Sequence, residues 1–232
     1  MDPTRAPAPD FSPTEIASAA GHALNNVLAY LYAASSYLDD SDVDVARART
    51  AIEDACHGAR SLSAALSLLG MTRDNVADVP AFGHVIDATI LDRALEAIGE
   101  TLAVAGGAPD FERGAYATTL DGDTIGAVLL CGATALRRSA GVSCVLRLGL
   151  TTVPAAEPGA SRLAIRLWAT LPSGEAPPRR TSHGPCELAL SHVAPILPTL
   201  DAALVQDGDG AIELAIDLRI QADMSETAGA PR

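Results

Sequence analysis

Apolar residues recur at helical spacing through positions 13–38. At about 100° per residue, Ile16, Ala20, Leu24, Val27, Leu28, Leu31, Ala34 and Leu38 fall on one side, a stripe wide enough to be buried. Ser12-Pro13-Thr14-Glu15 supplies the start. Serine suits the N-cap, proline the first turn, and Glu15 can close a capping box, which predicts a helix from Pro13 to about Leu38. A polar link, Asp39-Asp40-Ser41-Asp42, follows, with Ser41 or Asp42 available to cap a second helix. That helix carries a heptad seam: Val45, Ala48, Ile52, Ala55, Ala59, Leu62, Leu66 and Leu69, ended by Gly70. So short a link makes the two helices antiparallel. Two helices alone leave apolar surface bare. Either a dimer forming a four-helix bundle or packing on the second half of the chain would cover it.

The pattern changes character beyond residue 84. Leu91–Val104 reads as a helix closed by Gly106-Gly107, Phe111–Thr119 as a short strand, and Thr124–Ser139 as a helix behind an Asp121-Gly122-Asp123 turn and cap. Val142–Val153 and Arg162–Leu171 read as an antiparallel hairpin. Glu187–Val205 is expected as a third helix, kinked or split by Pro195 and Pro198. After the Asp207-Gly-Asp-Gly210 turn, Ala211–Ile220 alternates like a last strand. The expected fold class is α+β, a helical hairpin followed by helices layered on an antiparallel sheet. The expected divisions are a tail (1–12), the hairpin (13–70), a linker (71–84), the layered domain (85–222) and a second tail (223–232).

Composition narrows the function. The 232 residues carry 29 acidic and 16 basic side chains, a net charge of −13, and no basic stripe of the kind that nucleic acid needs. Every basic residue is arginine, which excludes P-loop, Schiff-base and kinase-type lysines. The first ten residues lack the basic and apolar regions of a signal peptide. The longest apolar run, Ile125–Leu136, is too short for a bilayer. Cys56, Cys131, Cys144 and Cys186 form no C-x-x-C pair. Reduced thiols in a cytoplasmic protein are the expectation.

The chemistry centres on Gly21-His-Ala-Leu-Asn-Asn26. His22 falls opposite the apolar stripe, with Asn25 and Asn26 on its flank, so it is not a core histidine. It is either a plain solvated residue or an imidazole held on a rigid rod for a partner, and the second reading is preferred. His57 also points off its seam, but Cys56-His-Gly-Ala-Arg60 matches no motif. His183, Cys186 and His192 make an H-x₂-C-x₅-H set with no fourth ligand and an unusual spacing for zinc. Arg137 and Arg138 complement a helix C-terminus.

A hairpin bearing His-x-Leu-Asn-Asn ahead of such a layer resembles the histidine kinases, over about residues 13–222. In that family the phospho-accepting histidine sits in an H-box, His-Asp/Glu-Leu-Asn-Asn/Pro. His22, Leu24, Asn25 and Asn26 fit it, whereas Ala23 stands in the acid's place. The resemblance implies that His22 is the phosphoacceptor. It gives Asn26 the role of orienting the imidazole or positioning a water. The nucleotide elements depart further. The Asn-rich helix corresponds to Val128-Leu-Leu-Cys-Gly-Ala-Thr-Ala-Leu-Arg137, without asparagine. Pro172–Arg180 carries no Asp-x-Gly-x-Gly, and the Gly-rich lid shrinks to His183-Gly-Pro-Cys186. A kept H-box hairpin beside an eroded nucleotide site is similar to the ChpT-type histidine phosphotransferases. These are dimers that relay phosphoryl groups between receiver domains without ATP. What the resemblance implies is His22 and Asn26 as catalytic residues, no cofactor on this chain, Mg²⁺ on the partner receiver, and a homodimer binding neither nucleic acid nor membrane. A divergent active histidine kinase and a non-catalytic pseudo-kinase binding module are the alternatives.

Overall fold

Ser12 opens the first helix as its sequence predicts. Its backbone N–H donates to Glu15 Oε2 (2.8 Å) while Glu15 N–H donates to Ser12 Oγ (3.2 Å), a reciprocal capping box. The computed structural model describes residues 12–39, 44–87, 89, 103–104, 116–140, 144–154, 160–175, 177, 184–206 and 211–220. Helix α1 spans Pro13–Asp39 and α2 spans Val45–Leu69. The cap of α2 is neither Ser41 nor Asp42, which lie outside the described residues. Asp44 fills that place, accepting from Arg47 N–H at 3.0 Å. The two helices pack along their length. Midway, a Cβ on Gly58 would lie 3.1 Å from Val27 Cγ2, so glycine lets the helices approach closely there.

The expected linker is not featureless. Thr72 and Asn75 form a second capping box around the one-turn α3 (Arg73–Val76), and β1 (His84–Ile86) follows. Most of the predicted helix at 91–104 lies outside the described residues. Its last two positions, Ala103–Val104, are instead strand β2, paired in parallel with β4. Strand β3 covers Tyr116–Thr118, and α4 covers Gly122–Ala140, capped by Asp121 through Thr124 N–H (2.8 Å). The predicted hairpin forms: β4 (Val145–Pro154) runs antiparallel to β5 (Ala160–Thr170), from Val145↔Thr170 to Pro154↔Ser161. The third helix is shorter than expected. Helix α5 spans only Pro185–Val193, Leu197–Leu200 is a 3₁₀ turn, and Asp201 takes a left-handed backbone (φ 51°). The chain then enters β6 (Ala202–Gln206), which pairs with β7 (Ile212–Ile220). The prolines and the αL residue stop the helix, and pairing with β7 makes its former tail a strand.

The sheet runs β1-β3-β7-β5-β4-β2. Strand β7 meets β5 on one side; on the other it meets β6 along 212–216 and β3 at its far end. All these pairs are antiparallel except β2–β4, a departure from the all-antiparallel expectation. Leu148, Leu150, Leu163, Ile165, Leu167, Ile212, Leu214, Ile216 and Leu218 alternate onto one face and are buried beneath α4. Helix α5 packs on α4 and on α2. Ala65 and Leu68, from the last turns of α2, belong to the same buried cluster. Polar contacts mark this junction. Ser61 Oγ lies 3.0 Å from Thr134 Oγ1, the Cys186 thiol faces Ser61 O at 3.7 Å, and His192 Nε2 lies 2.8 Å from Met71 O.

Candidate functional site

Helix α1 has three faces. Ile16, Ala20, Ala23, Val27, Ala34 and Tyr37 are partly or fully buried on the side toward α2. A second side carries Leu24 (50% exposed), Leu28, Leu31 and Leu38, all exposed. The predicted stripe therefore splits, half packed on α2 and half bare. The third side carries His22, exposed, with Asn25, Asn26 and Ala29 exposed around it. Nothing lies within 4 Å of the position a Cβ on Gly21 would occupy. Asn26 stands one turn along, and the 3.6-residue period alone brings it beside His22. The capping box fixes the helix start ahead of both. Ala23 is half-buried toward α2, so no carboxylate stands next to the imidazole.

The seam on α2 divides in the same way. Ala48 and Ala55 are buried, Leu62 and Leu69 partly so, whereas Val45 (65% exposed), Ile52, Ala59 and Leu66 are exposed at a strict seven-residue interval. Ser61 and Leu68 lie on the opposite side of α2, against the α/β layer. The layer covers one face of the hairpin, and the heptad stripe stays bare. Because the helices are antiparallel, the wheel positions put the bare leucines of α1 on the same side as the bare stripe of α2. His22 comes out on the other side, the one where the layer sits.

His57 differs from His22 in its surroundings. It is half-buried on α2, and burial and then the Arg137 guanidinium push its pKa down; Asp54 raises it and Arg60 lowers it further. Of the zinc-like set, His183 lies outside the described residues, while Cys186 and His192 are engaged at the hairpin junction. Among the described residues no group of three His, Cys, Asp or Glu could hold a metal. The four cysteines are free thiols. The hydrogen bond with Cys186 and then burial push the Cys131 thiol far up, which makes it inert.

Helix α4 is the element that the resemblance sets against the Asn-rich helix of the histidine kinases. From Ile125 to Leu136 its residues are almost all buried and apolar, and at Gly132 a Cβ would meet Leu167 and Ile212 side chains at 3.3 and 3.7 Å. That face is filled by hydrocarbon and offers Mg²⁺ no oxygen, so these residues do not fit a bound metal–nucleotide. The start of α5 is capped by its own third-position acid: Gly184 N–H donates to Glu187 Oε2 (3.1 Å), and Arg138 lies 3.5 Å from the same oxygen. Arg179 and Arg180 lie outside the described residues. No helix among the described residues is long and apolar enough to cross a membrane. One signal the sequence reading passed over is charge: α1 carries none between Glu15 and Asp39.

No protein-family model matches the chain, and no curated protein matches it. Among solved structures it is similar to the Acinetobacter baumannii histidine kinase AdeS, at 14% identity and a TM-score of 0.43, covering 86% of this chain and 98% of that one. It is similar to a bacterial phosphotransferase at 13% identity and a TM-score of 0.43, covering 91% and 100%. It is also similar to a histidine kinase from Burkholderia phymatum STM815 at 14% identity and a TM-score of 0.37, covering 90% and 99%. Likeness at this level carries no argument about activity, which rests on the chain's own side chains.

Proposed function

We propose that this chain is a cytoplasmic, dimeric histidine phosphotransferase that relays phosphoryl groups between response-regulator receiver domains through a phosphohistidine at His22. The observation that carries the reading is the placement of His22. It is exposed on α1 within His-Ala-Leu-Asn-Asn, away from both apolar faces of the helix. The ring nitrogen of neutral His22 attacks the phosphorus of an aspartyl phosphate in line. An N–P bond forms, the P–O bond to the aspartate breaks, and the electron pair leaves with the carboxylate. The imidazole sheds its other N–H proton to water. Transfer to a second receiver runs these events backwards. Asn26 holds the ring or a water by hydrogen bonding. The receiver brings its own Mg²⁺ to balance phosphoryl charge. An acid beside the histidine would help deprotonate it against ATP. Ala23 gives no such help, and an acyl phosphate, the better donor, needs less.

The bare stripes on α1 and α2 supply the dimer contact. Two hairpins joined through Leu24, Leu28, Leu31, Val45, Ile52 and Leu66 make a four-helix bundle with both His22 side chains outward. A phosphotransfer gel tests the reading, with labelled ATP alone in one lane, phosphorylated receivers in others, and His22→Ala beside wild type. Acid-labile label on wild type only when a receiver donates is expected. Label from ATP alone would make the chain a kinase. No label from competent receivers would make it a binding module.

A further inference from the structure

The sheet has a second face. The alternation that turns Leu148, Ile165 and Leu214 toward α4 turns the residues between them the other way, on the side remote from the hairpin. That outward face carries Arg147, Arg162, Arg166 and Arg219 against Glu213 and Asp217. It therefore gathers four of the chain's 16 basic residues and two of its 29 acidic ones, a local positive excess on a chain of net charge −13. Trp168, the only tryptophan, shares this face, half-buried directly opposite Arg147. Val85, Val153 and Val205 share it too. Among the described residues, these three are the exposed large apolar side chains that lie outside the hairpin.

Several of the arginines are already ordered. Arg162 donates to Asp217 through Nε (2.6 Å) and a terminal nitrogen (3.1 Å). Arg147 Nε donates to Thr170 Oγ1 (3.1 Å), and Arg219 lies 4.3 Å from the centre of the Phe82 ring. A long side chain fixed in advance loses less entropy when a partner arrives. The Thr170 bond takes one of the five N–H groups on Arg147, so the rest of its fork can still meet a carboxylate.

Charge complementarity selects the occupant. Guanidinium forks match carboxylates, tryptophan and arginine are the side chains that most often anchor interfaces, and the valines call for apolar residues among the acids. Trp168 and Arg162 stand six residues apart, about 20 Å along β5, which a short extended segment spans. Nucleic acid fits less well, because its dense phosphates would meet Glu213, Asp217 and the acidic field of the whole chain. We propose that the outward face of the sheet is a docking surface for an acidic segment of another protein, with a carboxylate on Arg147 and an apolar side chain against Trp168. This inference goes beyond the phosphotransferase reading and does not depend on it.

The sole tryptophan makes the test specific to the face. Full-length protein is titrated with a peptide of six Glu-Val repeats, followed by Trp168 emission and, with a fluorescein-labelled copy, by anisotropy. Saturable binding that shifts the emission is expected, weakening between about 50 and 500 mM salt. A Lys-Val peptide and a thymidine dodecamer should bind at least about tenfold more weakly. Arg147→Glu should weaken the Glu-Val peptide at least about tenfold, and Arg147→Lys much less. Arg49→Glu, the same charge change on α2, should leave binding as in wild type, with circular dichroism matching throughout. A Glu-Val peptide that fails to bind at millimolar concentration would overturn the inference. So would binding that leaves Trp168 emission unmoved, or that is equal in wild type and Arg147→Glu. Tighter binding of the dodecamer would overturn it by making the face a nucleic-acid site. A change of oligomeric state in Arg147→Glu by light scattering would overturn it by giving the face to a second copy of the chain.

Discussion

His22 and His57 show how one residue type acquires two behaviours from its surroundings. His22 is exposed on its helix face. His57 is half-buried between α2 and the end of α4, where burial and then Arg137 disfavour its protonated form, Arg60 adds to this and Asp54 opposes it. A base whose folded pKa lies below its unfolded value of 6.5 takes up its proton first in the unfolded chain. Acidification through that value therefore pulls the equilibrium toward unfolding, and the contribution is restored above it. We expect the melting temperature of wild type to fall more steeply below pH 6.5 than that of His57→Gln, with parallel curves above about pH 7.5. Melts across that range compare the slopes, so a uniform packing loss in the variant does not confuse the result. Parallel curves throughout would show that His57 titrates alike in both states.

At the scale of elements, the hairpin is held by one set of apolar positions and exposes another. Val45, Ile52 and Leu66 are bare on α2, and Leu24, Leu28, Leu31 and Leu38 on α1. These side chains are about half exposed, so covering each adds roughly half of the 1.5–3 kcal/mol of a full burial, and a second hairpin on this face sums several such gains. Leu28→Glu with Ile52→Glu should turn a dimer into a monomer by light scattering while leaving helix content unchanged, because neither residue supports the fold of one subunit. A wild-type monomer would show that the stripe serves another contact. The two helices were legible in the sequence because period and caps are local: Ser12 to Glu15 and the run to Gly70 fix them unaided. Which half of the seam met which neighbour was not legible, since a heptad records that a face is apolar and not what covers it. Strand β6 was hidden for a related reason. Ala202–Gln206 reads equally as helix or strand, and its pairing with β7 decides. The two-residue β2 exists only through its partner β4. Thr72–Asn75 makes the same reciprocal cap as Ser12–Glu15 with asparagine in the acid's place, which the usual cap pattern does not flag. At the site, the position of His22 opposite the apolar stripe followed from helical spacing, whereas its exposure depends on how the layer sits against α2.

Across the whole molecule, the hairpin and the layer meet at the last turns of α2. Leu68 is fully buried there, in one apolar cluster with Leu129, Leu190 and Leu197, and the Ser61–Thr134 and His192–Met71 contacts flank it. A helix whose end completes another unit's core should not unfold apart from it. The sequence supplies independent reporters: Trp168 in β5 is the only tryptophan, and α1 and α2 hold much of the helix signal. Thermal unfolding followed by tryptophan fluorescence and by circular dichroism at 222 nm should therefore give one midpoint. Leu68→Ala removes a side chain from a site that cannot collapse around it, a loss of about 2–5 kcal/mol. For a chain of this length that lowers the melting temperature by roughly 5–15 °C, and the two probes should move together. If the helix signal outlasts the tryptophan transition in wild type, the hairpin is a separate unit resting on the layer. Its surviving dimer would then hold it folded, and Leu68 would report on the layer alone.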